Sequence, residues 1–104
     1  MSPTIQAVNT EADFSTNSAG QILLAHAHTA LGGPVHDAWA LPEAMTLEEC
    51  ERTASLFETT SDDRLLEIGR QRPDLWAGSP EGLVEWLRGW AAFLRESGGW
   101  VKLH

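Results

Sequence analysis

The sequence predicts a mainly α-helical protein, a small four-helix bundle with a loose N-terminal arm, and three observations carry that expectation. Four stretches open on a residue whose side-chain oxygen can cap a helix, and three of them stop at a glycine or proline. Within each stretch apolar residues recur at helical spacing. The β-like runs are few and short, Thr4 to Val8 and Trp100 to Leu103, so residues 1–19 read as a flexible arm and 20–104 as a single helical domain. A minor pairing of the two terminal runs is the alternative to a free arm.

The first helix is expected over residues 19–31, capped by Ser18 or Asn17 and stopped by Gly32-Gly33-Pro34, with Leu23, Leu24, Ala27 and Leu31 on one face. A loop with Trp39 and Pro42 follows. The second helix has the clearest start: Thr46-Leu47-Glu48-Glu49 is a capping box, with Met45 and Cys50 in the staple positions. Behind it Leu47, Cys50, Ala54 and Phe57 form one apolar seam. Ser61 caps a short third helix bearing Leu65, Leu66 and Ile68, with Asp62 and Asp63 at its positive end and Pro73 beyond its stop. Ser79-Pro80-Glu81 opens the last helix and Gly98 closes it. Its apolar sector leaves only Glu85, Arg88, Ala92, Arg95 and Glu96 for water, which suits the centre of a bundle or a face covered by another chain.

A chain of 104 residues buries roughly two-thirds of its unfolded surface, enough for one domain without disulfide or metal. The single cysteine, Cys50, excludes an intramolecular disulfide, and the N-terminus has neither a basic region nor an apolar run of membrane length. A cytoplasmic location is therefore expected. Six arginines against one lysine, with many alanines and glycines, suit a bacterial or phage source rich in G and C.

Charge gives the direction for function. No lysine or arginine precedes Arg52, while Glu11, Asp13, Asp37, Glu43, Glu48, Glu49 and Glu51 already lie in that half, so residues 1–51 carry −7 of the net −8. That distribution repels nucleic acid and anionic membranes and attracts basic protein surfaces. It also weighs against a DNA-reading helix-turn-helix in the second and third helices, whose reading helix would lead with Asp62 and Asp63.

No catalytic, metal or cofactor site is expected. His26 and His28 lie about 200° apart on a helix and cannot share an ion, and no Cys-x-x-Cys or His-Glu-x-x-His is present. The histidines are expected at the boundary or surface, and Cys50 as an inert buried thiol with a raised pKa. His36-Asp37 is the one pair resembling an acid/base unit, and adjacent residues seldom face each other.

Acidic residues are densest from Glu43 to Glu67. Half of them fit helix construction: Glu48, Glu49, Asp62 and Asp63 occupy first turns, and Glu48 can pair with Arg52. The remainder suits a binding face. Glu43, Glu48, Glu51, Glu58 and Asp63 are the expected steering residues, and Trp39, Trp76 and Trp100, in loops or ends, the expected anchors. Trp86, Trp90 and Phe93 fall on the apolar sector of the last helix and read as core. The expected partner is a larger basic bacterial protein, for instance one that binds nucleic acid. In size, acidity and lack of catalytic motifs the chain resembles the small inhibitors of phages and mobile elements, anti-CRISPR proteins among them. An immunity protein or antitoxin facing a basic toxin, and a helical accessory subunit or a homodimer formed through residues 80–97, are the alternatives.

Overall fold

The computed structural model describes residues 4–7, 13–36, 40–99 and 101–103. Four helices, α1 (Ser18–Leu31), α2 (Leu47–Thr59), α3 (Asp62–Arg70) and α4 (Pro80–Ser97), form the bundle expected from the sequence. Each begins where a polar side chain takes up an orphan backbone donor: Asn17 Oδ1 accepts from Gly20 N–H, and Thr46, Ser61 and Ser79 accept from the third residue of their helices. Of the two caps open for α1, Asn17 is used. The α2 capping box closes in both directions, with Thr46 N–H donating to Glu49 Oε1 at 3.1 Å. At the end of α1, Gly32 turns left-handed at φ 87°, a conformation that excludes most other residues.

The helices are accompanied by a small antiparallel sheet in the order β2-β1-β4-β3, from β1 (Thr4–Ala7), β2 (Asp13–Ser15), β3 (Ala44–Met45) and β4 (Val101–Leu103). The terminal pairing is present, with Ile5 opposite Leu103 and Ala7 opposite Val101. Seven residues of the stretch read as an arm thus lie in strands. The reason is burial: Ile5 and Ala7, two apart, point to one face, and Ile5 is fully enclosed in the core. Phe14 on β2 packs edge-on to Trp90 at 5.1 Å and also contacts Trp86 and Phe93.

α4 is the central element. Leu83, Leu87, Trp90, Ala91, Phe93 and Leu94 are all buried, chiefly by α2, α3 and β2, so the chain itself covers most of the wide apolar sector. Val84 and Trp86 stay half-buried. Gly69 lets α3 approach α4 closely, since a Cβ there would press on a Leu83 methyl and require that side chain to shift. Leu47 departs from the seam assigned to it. It is 46% exposed, as the first residue of α2.

Arg88, expected to face water, instead reaches the C-terminal end of α2. Its guanidinium donates to the carbonyls of Phe57 (2.8 Å) and Thr60 (3.0 Å) and to Asp62 Oδ1 (2.6 Å). Those carbonyls have no helical donor of their own, and the guanidinium meets the negative end of the helix dipole.

Candidate functional site

The acidic surface begins just before α2. Glu43, Glu48 and Glu51 are exposed, and Glu51 stands one turn after the exposed Leu47 at the edge of the buried seam. Cys50, Thr53, Ala54 and Phe57 of the same helix are buried, and Glu48 lies nearly opposite them. Ion pairing decides which acids stay uncompensated. Among the described residues, Arg70, Arg72, Arg88 and Arg95 pair with Glu67, Asp74, Asp62 and Glu58, all later in the chain than residue 57. The expected Glu48–Arg52 pair is not among them.

Glu58 therefore differs from the other steering residues. It lies ten residues beyond Glu48, about 15 Å along the axis, and Arg95 grips it at 2.7 Å while donating also to Ser55 Oγ. That hydrogen bond holds the Glu58 carboxyl below its ordinary pKa. Asp63 stands on α3 beyond the far end of α2. Glu43, Glu48 and Glu51 are thus exposed around the start of α2, whereas Glu58 is paired with Arg95 and Asp63 stands on another helix.

Of the three expected anchors, Trp39 and Trp100 lie outside the described residues, as does Asp37. Trp76 is half-buried in the loop between α3 and α4. Its indole N–H donates to the Ser79 carbonyl at 2.9 Å and its ring leans on Trp86 with centroids 5.5 Å apart. The loop beneath it is held by a two-pronged Arg72–Asp74 pair, which also keeps the Asp74 carboxyl below its usual range. Trp76 lines a depression of about 560 Å³ with Asn17, Gly20 and Trp86, and a smaller one of about 160 Å³ with Leu66, Pro73 and Pro80.

The histidines and the cysteine make no shared site. His26 lies part-exposed with Nε2 2.9 Å from Gln71 Oε1, and His36 is exposed. His28 corrects the surface expectation: it is fully buried. Its Nε2 accepts from Trp90 Nε1–H at 3.0 Å and its Nδ1 lies 2.7 Å from the Pro34 carbonyl. Both contacts are satisfied only by the neutral ring with its proton on Nδ1. Burial lowers its pKa from 6.5 to about 4. Cys50 is buried, donates to the Gly99 carbonyl at 3.4 Å, and has its pKa raised by that burial. Among the described residues no three His, Cys, Asp or Glu side chains are grouped to hold a metal ion. Nor is any helix among them long and apolar enough to cross a membrane.

Two features escaped the sequence. Leu47 was hidden by its place on the seam, and the groove beside Trp76 is formed by residues scattered from Asn17 to Trp86. Comparison with protein-family models, with curated proteins and with solved structures found no match to the chain.

Proposed function

We propose that this is a non-enzymatic protein-binding module, a small inhibitor or regulator that covers a basic, nucleic-acid-binding surface of a larger bacterial protein in the cytoplasm. One observation supports the reading: among the described residues the ion pairs draw only on later acids, and Glu43, Glu48 and Glu51 are exposed near an exposed Leu47. Unpaired carboxylates around an apolar contact speed encounter with a basic surface and then provide something to bury.

The mechanism needs no chemistry. The excess of negative charge orients a basic partner, and Leu47 and the Trp76 region are the apolar groups available for contact. Occlusion of the partner's phosphate-binding cations would be the inhibitory act. The experiment is a pull-down from nuclease-treated bacterial lysates with two baits, the wild type and a triple Glu43→Lys, Glu48→Lys, Glu51→Lys variant. A basic protein retained by the first, released by rising salt and lost from the second, is the expected result. Equal retention by both baits would sink the reading.

A further inference from the structure

We propose that the groove between α3 and the N-terminal half of α4 seats an amphipathic helix of the partner protein, apolar on one face and flanked by lysine or arginine. This rests on the reading of the chain as a protein-binding module and names the second surface it would use. Leu66 and Pro80 line both the 160 Å³ depression beside Trp76 and a further one of about 280 Å³ that continues to Val84 and Glu85, so the two form one trough. Leu66, Val84 and Trp76 are half-buried along it, and Pro73 and Pro80 are exposed.

The trough is preformed. Gly69 lets α3 close onto Leu83 beneath it, and the hydrogen bond from the Trp76 indole to the Ser79 carbonyl fixes its wall. A wall already ordered loses little entropy when a partner arrives. Charge selects the occupant. Glu81 and Glu85 rim the outer section beside Asp62, which Arg88 already pairs, against Arg70 on the inner one, which leans toward Glu67 at 3.9 Å. Glu81 is accounted for by the first turn of α4, but Glu85 lies a turn further on, beyond the reach of the helix dipole. A helix fits better than a strand, because the main chains of α3 and α4 use their hydrogen bonds internally and offer no edge, whereas two helices side by side present a furrow for side chains at i, i+3 and i+4.

The test is an NMR titration of isotope-labelled full-length protein with a leucine/lysine amphipathic peptide of about 15 residues, set against a leucine/glutamate peptide of the same pattern. The expected result is shifts at the Trp76 indole N–H and the Leu66 and Val84 methyls. At least tenfold weaker binding to Leu66→Ser and several-fold weaker binding to Glu85→Lys should accompany them. Glu85 is exposed, so its variant answers even if Leu66→Ser fails to fold. Shifts confined to Glu48 and Glu51, unchanged affinity in Glu85→Lys, equal binding of the glutamate peptide, or no binding by either would each overturn the groove. A response confined to α2 would leave the acidic-surface reading standing, since that reading fails separately, through equal retention in the pull-down.

Discussion

His28 shows how one side chain ties distant parts of the molecule into a single condition. Its neutral ring accepts from Trp90, 62 positions away, and meets the Pro34 carbonyl beyond the end of α1. The unfolded imidazole titrates near 6.5 and the folded one at about 4. With the folded value the lower, stability is full above pH 6.5 and falls as the pH drops toward 4, because the unfolded chain binds the extra proton. Urea unfolding across pH is expected to show a loss of about 2 kcal/mol between pH 7.5 and 5 from this residue. His28→Leu is expected to lower stability at neutral pH by about 1–3 kcal/mol, through the unpaired Trp90 donor, and to flatten that pH slope; a slope identical in wild type and variant would contradict the assignment. The position of His28, i+4 from Leu24 on the apolar stripe, was legible, although a histidine there was expected at the boundary or surface. Its partner on α4 was not, since no local pattern links residues so far apart. Thr53 is the opposite case: its buried hydroxyl finds no partner among the described residues. Thr53→Val is expected to match or exceed the wild-type urea midpoint, as no hydrogen bond is lost.

At the scale of elements, α2 is held at its two ends by devices of different visibility. The capping box at Thr46 and Glu49 is a local pattern and could be read directly; Thr46→Ala is expected to cost about 1 kcal/mol in thermal or urea unfolding. The Arg88 clasp at the other end joins residues about thirty positions apart. Periodicity places Arg88 on the polar edge of α4 but cannot tell water from the end of a neighbouring helix. Arg88→Ala is expected to destabilise by about 1–3 kcal/mol, and Arg88→Lys to recover only part, because an ammonium cannot span carbonyls and carboxylate at once. Helix starts were legible for the same local reason, down to Ser61 and the Ser79-Pro80 opening. The sheet was legible only at the termini. β2 and β3 have three and two residues, too few to show alternation, and their place follows from Phe14 and Met45 packing onto the core.

For the whole molecule, the charge asymmetry of the sequence survives folding among the described residues because four of the six arginines are engaged with later acids. The acids were legible as a group, yet only the fold separates Glu43, Glu48 and Glu51 from the paired Glu58 and the distant Asp63. Trp76 was legible as an aromatic outside the bundle's repeating faces, but the trough around it was not, since helix order in space decides which residues line it. The most direct test of the central claim is the association rate between this protein and a basic protein retained in the proposed pull-down, measured over a salt series for the wild type and the Glu43→Lys, Glu48→Lys, Glu51→Lys variant. The account predicts a rate that falls steeply with salt in the wild type, and a variant at least tenfold slower at low salt with a shallower dependence. Equal rates and equal salt dependence in the two proteins would contradict it.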